Sequence, residues 1–292
     1  MKNEIRKLSK EEFPLKLFEI PEPPEELYIE GVLPDEDEYK FLTVVGSRKF
    51  SSYGKEACEK LIAGLEGQKI IIISGLALGT DTNAHESALK AKLKTIAIPG
   101  SGLSRKVIHP HSNKILADKI VYAGGALLSE LEPEMPAGLH TFPRRNRIMA
   151  GIADAILVIE ARERSGTTIT ARLATEYNRE LLAVPGSIFS SGSVGTNRLI
   201  RQGATPINKS EDILEALNIA LPENGQARLD LVYSELSPNE RKIIEILSIE
   251  AISRDELSRA LQIKISELNM LITLMEIKGL IKELGGKIQL EA

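Results

Sequence analysis

The chain has 292 residues, 42% of them hydrophobic, a formal net charge of −4, one cysteine and no tryptophan. That is enough apolar material for one medium domain and a small one. No run approaches the length of a membrane span, the N-terminus MKNEIRKLSKEEF lacks an apolar signal core, and the lone Cys58 excludes an internal disulfide, so a soluble cytoplasmic protein is expected.

Residues 1–40 are rich in charge and proline, show no sustained period, and are read as an extended N-terminal arm. From residue 41 to about 220 apolar strands alternate with amphipathic helices. FLTVVG, KIIIIS, TIAIPG, ALLSE, DAILVI, ELLAVPG and ATPI are the expected strands; helices are expected over Tyr53 to Leu65, Asp81 to Lys90 and EDILEAL. This alternation predicts an α/β domain, a Rossmann-like doubly wound parallel sheet whose ligands bind outside the carboxyl ends of the strands. Residues 221–230 read as a linker. Residues 231–292 follow with three helical patterns, the first capped by Ser237 with Glu240 three residues on, the third stopped by Gly279, then a hairpin around Gly285 and Gly286. Three helices and a hairpin predict a winged helix.

The stretch from Phe142 to Arg172 carries the strongest chemical signal. After the strand DAILVI a polar loop ends in Ser165, Gly166, Thr167 and Thr168, which suit the start of a helix continued by Ile169, Leu173, Ala174 and Tyr177. The unpaired N–H groups of such a first turn favour an anion, most often a phosphate. Six arginines (144, 145, 147, 162, 164 and 172) stand there against Asp154, Glu160 and Glu163, a local balance of 6 − 3 = +3 on an acidic chain. Arg48 follows the first strand directly, beside Gly46 and Ser47, where a guanidinium can grip a phosphate. Aromatic residues make up 4% of the chain, so phosphate contacts rather than base stacking are expected to dominate any nucleic-acid affinity.

Other chemistries find little support. The glycine pair Gly100 and Gly102 is followed by Arg105 where a dinucleotide fingerprint needs a third glycine, and SGTT lacks the lysine of a phosphate-binding P-loop. Asp81 and His85 are read as a helix cap and an ordering residue, His109 and His111 lack partners at metal-ligand spacing, and no nucleophile elbow occurs. No cofactor, metal or catalytic residue is therefore expected.

Read in order, GSR with SxYG (Gly46 to Arg48, Ser51, Tyr53, Gly54), SGLALGTDTNAH, FPRRNRIMAG, EARERSGTTITA and VPGS resemble the DNA-processing protein A family, DprA or Smf, over about Phe13 to Leu217. The C-terminal segment resembles the winged helix that many members carry. The resemblance implies an extended Rossmann domain that binds single-stranded DNA, protects incoming DNA in natural transformation and recombination, and loads the RecA recombinase, usually as a homodimer and without catalysis. It implies phosphate contacts at Gly46, Ser47 and Arg48 and at Arg164, Ser165, Gly166 and Thr167, with Arg144, Arg145 and Arg147 lining a basic pocket. Two departures stand out: the helical domain with which members often begin is largely missing, and an acidic residue and a tyrosine after the third strand are replaced by Ser104 and His109. The third winged-helix segment, ISELNMLITLMEIKG, offers few cations, so this helix is expected to stay out of DNA grooves and the domain to serve protein contacts or packing. The rival reading is a hydrolase that releases the base from nucleoside monophosphates, with Glu176 in SGTTITARLATE as its carboxylate; both leading glycines of that family's signature are absent.

Overall fold

A computed structural model describes residues 4–163, 166–220, 236–248, 251–277, 280–284 and 286–290. The chain divides into two units, Met1–Ala220 and Leu221–Ala292.

The first unit is built on a nine-stranded sheet with the order β1-β2-β6-β5-β4-β3-β7-β8-β9. The strands are β1 (Arg6–Lys7), β2 (Tyr28–Gly31), β3 (Lys40–Val45), β4 (Ile70–Ser74), β5 (Thr95–Ala97), β6 (Ala126–Ser129), β7 (Ala155–Val158), β8 (Glu180–Ala183) and β9 (Thr205–Pro206). From β6 to β9 every pairing is parallel. The connecting helices are α1 (Ser52–Ala63), α2 (Thr80–Lys90), α3 (Lys114–Tyr122), α4 (Thr141–Ile152), α5 (Thr167–Glu176), α6 (Val194–Arg201) and α7 (Ser210–Ala216).

The side-chain alternation of the central strands sorts them into two cores. Phe41, Val45, Ile71, Ile73, Ile156 and Val158 face one layer, which includes Ile148 and Met149 of α4 and Ala171 and Ala174 of α5. Leu42, Val44, Ile70, Ile72, Ala155 and Leu157 face the other, with Cys58, Leu61 and Ile62 of α1 and Ala84 and Ala88 of α2. Strands buried on both faces explain why these segments read as continuous apolar runs. The chain reverses its direction of travel across the sheet between β3 and β7, so a crevice opens there at their carboxyl ends.

Residues 4–40 correct the expectation of an extended arm. β2 pairs antiparallel with β6, and β1 with β2. Leu8, Phe13, Leu17, Ile20, Leu27 and Ile29 are buried in the first core. The period-two signal of Leu27 and Ile29 lasts one alternation among prolines, too short to register as a strand. Helix α4 carries no regular apolar period in its sequence. Its core-facing positions are Thr141, Arg145, Ile148, Met149 and Ile152, and the arginine at a buried position breaks the apolar pattern.

In the second unit, α8 (Pro238–Leu247), α9 (Arg254–Leu261) and α10 (Ile265–Ile277) pack with an antiparallel hairpin of β10 (Ile281–Leu284) and β11 (Lys287–Leu290). Ser237 accepts a hydrogen bond from Glu240 N at 3.3 Å while the Glu240 carboxylate accepts from Ser237 N at 2.7 Å, the reciprocal cap read from the sequence. Ile243, Leu257, Leu268, Ile272, Met275, Ile281 and Ile288 form its core. A bridge between Ile252 and Ile288 joins the hairpin to the segment before α9, completing a winged helix. The expected linker (221–230), Gly279 and Gly285 lie outside the described residues.

Candidate functional site

A cavity of about 460 Å³ opens at the crevice between β3 and β7. Its floor is backbone from three loops held together by hydrogen bonds. Thr167, in the first turn of α5, donates its hydroxyl to Gly46 O at 3.1 Å. Thr80, in the first turn of α2, donates both its N–H and its hydroxyl to Ser47 O, each at 3.1 Å. The chain comes this close because Gly79, at φ 83°, has no Cβ; one would lie 2.4 Å from Ser47 O. The loop after β3 is pinned at its other end as well. Glu160, 2% exposed, accepts from Ser51 N at 2.9 Å and from the Ser51 hydroxyl at 2.6 Å.

On this floor the charged groups divide into two kinds. Arg48 is exposed and makes no side-chain hydrogen bond or ion pair among the described residues; its guanidinium carbon lies 5.3 Å from the centroid of the Phe142 ring. A cation over an aromatic face is held without using its N–H groups, which stay available to an anion. Arg162 is likewise exposed and borders the cavity. Arg145 is different: it is 7% exposed, and Nη1 donates to Gly75 O and to Ile98 O, bracing the ends of β4 and β5. Asp81, buried below it, accepts from Gly75 N at 3.1 Å and Ala77 N at 3.3 Å. Burial raises the Asp81 carboxyl above its ordinary pKa, opposed by the positive charge of Arg145 and by those two amides. Burial lowers Arg145 below the usual arginine value, which Asp81 opposes and Arg48 reinforces.

Of the residues proposed from the sequence, Gly46, Ser47, Arg48, Arg145, Gly166 and Thr167 all border this cavity. Arg164 and Ser165 lie outside the described residues. Arg144 and Arg147 do not line it, a correction to the basic pocket inferred from the run of arginines. Arg147 donates to Glu130 and, at 2.6 Å, to Glu22 O, and Arg144 lies 3.5 Å from the same Glu130 carboxylate. Their positions along α4 place them on a flank where Glu130 meets both cations, which the sequence spacing does not show. Phe142, Asn146 and Arg162 border the cavity without having been proposed as contacts. Each lies in the stretch singled out, but only the fold shows which way it points. Glu176, the carboxylate of the hydrolase reading, is nine residues beyond Thr167, about 13 Å along α5, and is paired there with Arg172 at 3.0 Å.

With this geometry in place, the comparison with known proteins is unambiguous. Residues 4–218 match the family described as DNA recombination-mediator protein A, and residues 231–287 match the DprA winged helix domain. The chain belongs to the DNA recombination-mediator protein A family. The DNA processing protein DprA of Streptococcus pneumoniae is 44% identical over 207 residues, 69% of this chain and 70% of that protein. Protein Smf of Escherichia coli K12 is 39% identical over 238 residues, 78% of this chain and 63% of its own length. The chain thus spans less than two thirds of that relative.

Among solved structures, the Streptococcus pneumoniae protein superimposes with a TM-score of 0.67 at 39% identity, covering 73% of this chain and 75% of that one. DNA processing protein A from Helicobacter pylori, described for its unique single-stranded DNA binding mode, gives 0.66 at 29% identity over 74% of this chain and 98% of that one. The extended Rossmann sheet is therefore a family property, and the cleft sits at its switch point.

Proposed function

We propose that this protein binds single-stranded DNA in the cleft at the carboxyl ends of β3 and β7, holds it chiefly by its phosphates, and does so without catalysis. The observation that carries this reading is Arg48, an exposed guanidinium free of protein acceptors among the described residues, set on Phe142 beside the first turn of α5. A phosphate there meets Arg48, Arg162 and the backbone at the start of α5. The Helicobacter pylori relative's single-stranded DNA binding supports the same reading. Family membership extends it to protection of incoming DNA and delivery to the RecA recombinase, by a cytoplasmic homodimer. The winged helix then serves protein contacts: α10 contains no lysine or arginine, and Ile265, Met270 and Leu274 are exposed on it.

The test is fluorescence anisotropy of a labelled single strand and its duplex across salt, with wild type and Arg48→Ala. The single strand should be preferred, and Arg48→Ala should weaken it about tenfold. The slope of log affinity against log salt should flatten by about 0.7, one phosphate contact, with no change in melting temperature. An unaltered affinity and slope in the variant would place the binding site elsewhere.

A further inference from the structure

A second concave site lies toward the other end of β3. A cavity of about 370 Å³ opens beside Phe41, about 13 Å along the strand from Val45, which borders the cleft. Buried Leu8, Phe13 and Phe41 line it, and Val32, 63% exposed, is an apolar side chain on its outer wall. The apolar surface continues from there. Leu15 is 67% exposed, and its N–H donates to Glu36 Oε1 on the cavity wall at 2.7 Å. Phe18, 48% exposed, stacks on Phe13 with ring centroids 6.1 Å apart. Single exposed hydrophobics are ordinary on a protein surface. Leu15, Phe18 and Val32 instead adjoin one depression, and an apolar patch rimmed by charge marks an interaction surface.

The charge on this rim has one sign. Among the described residues that line the cavity, Arg6 is the one cation, and it donates to both carboxylate oxygens of Glu12, at 2.7 and 2.9 Å. Lys10 and Lys16, which approach the Phe13 and Phe41 rings, are engaged by Pro24 O and by the Asp154 carboxylate. Asp35, Glu36 and Asp37 have no ion pair among the described residues, and Glu36 Oε2 is buried with no hydrogen-bond partner. An apolar cavity of this size beside unneutralised carboxylates suits a bulky apolar side chain flanked by cations. An acidic peptide or a nucleic acid would be repelled.

We propose that this cavity docks a basic segment of a partner protein. One bulky apolar side chain of that segment sits over Phe41, and its flanking lysines or arginines pair with Asp35, Glu36 and Asp37. The site is independent of what the cleft binds and stays open while the cleft is filled.

The probe is a fluorescein-labelled peptide, Arg-Lys-Phe-Arg-Lys capped at both ends, titrated with the full-length protein and read by anisotropy. It should bind about tenfold or more tighter than the same peptide with serine for phenylalanine, or with glutamate for all its cations. Asp35→Asn/Glu36→Gln keeps the oxygens that accept from Asp37 N and Leu15 N, and should weaken the peptide about tenfold. Leu15→Ser/Val32→Ser changes two exposed side chains without changing charge and should weaken it by a similar factor. Both double variants should keep the wild-type melting temperature and the wild-type affinity for a single-stranded oligonucleotide. Failure of the peptide to bind, or wild-type affinity in the Leu15→Ser/Val32→Ser variant, overturns the proposal. Equal affinity for the serine peptide reduces the attraction to that of any cation for an acidic chain and also overturns it. Sedimentation in which Leu15→Ser/Val32→Ser dissociates a wild-type oligomer assigns the patch to a contact between copies of the chain, which overturns it as well.

Discussion

Replacing Arg145 by alanine separates a structural arginine from one proposed to bind the ligand at the same cavity. Its Nη1 serves the carbonyls of Gly75 and Ile98, and its charge offsets that of buried Asp81. Alanine leaves two buried acceptors without a donor, at about 1–3 kcal/mol each, and leaves a buried carboxylate uncompensated. Removing one member of a buried charge pair costs about 3–5 kcal/mol, which lies within the range of about 2–6 kcal/mol for two lost donors. For a unit of this size a loss of about 3–5 kcal/mol corresponds to a fall of about 6–20 °C in melting temperature. Circular dichroism during thermal unfolding of the full chain measures it, with Arg48→Ala as the exposed control expected to melt with the wild type. Arg145→Lys should recover only part of the loss, because an ammonium on a flexible stem lacks the preorganised planar guanidinium that holds Nη1 between the two carbonyls. An Arg145→Ala variant within about 1 kcal/mol of wild type yet unable to bind single-stranded DNA would refute the bracing role and make Arg145 a ligand contact.

Three further substitutions test the fold around the cleft. Gly54→Ala should destabilise the protein although alanine favours helices, because its Cβ would lie 2.4 Å from the Glu160 carboxylate that anchors Ser51; a melting temperature at or above wild type would contradict that anchoring. Ile29→Ala should cost about 2–5 kcal/mol in urea unfolding, as expected of a side chain in the main core and not of one on a loose arm. His85 is wholly buried, its Nδ1 lies 2.7 Å from the Thr95 hydroxyl, and burial lowers its pKa to about 3 from 6.5. The folded state therefore binds fewer protons than the unfolded state between those values, and stability is lost as pH falls below 6.5, by up to about 1.4 kcal/mol per unit. The stability difference between wild type and His85→Gln should change with pH across this window and be flat above it; a flat difference throughout would show that His85 does not titrate on unfolding.

Much of the architecture was legible because it rests on local patterns. Runs such as IIIIS and AILV announce strands covered on both faces, and Ser237 with Glu240 announces a capped helix, since the groups involved are neighbours in sequence. Arg48 was legible for the same reason: it follows its strand directly. The pairing of β2 with β6 was not, because its partner lies almost a hundred residues away and its own alternation is too brief to register. Nor was the division of labour among the arginines. Residue type and spacing put Arg144, Arg145 and Arg147 in one basic run, and they determined the family and the fold class. Only the tertiary structure sent Arg145 inward to two strand ends, Arg147 and Arg144 to Glu130, and Arg48 onto Phe142. The physical reason is that a cation's role depends on which acceptors the fold brings within hydrogen-bonding reach, and those acceptors come from segments distant in the chain.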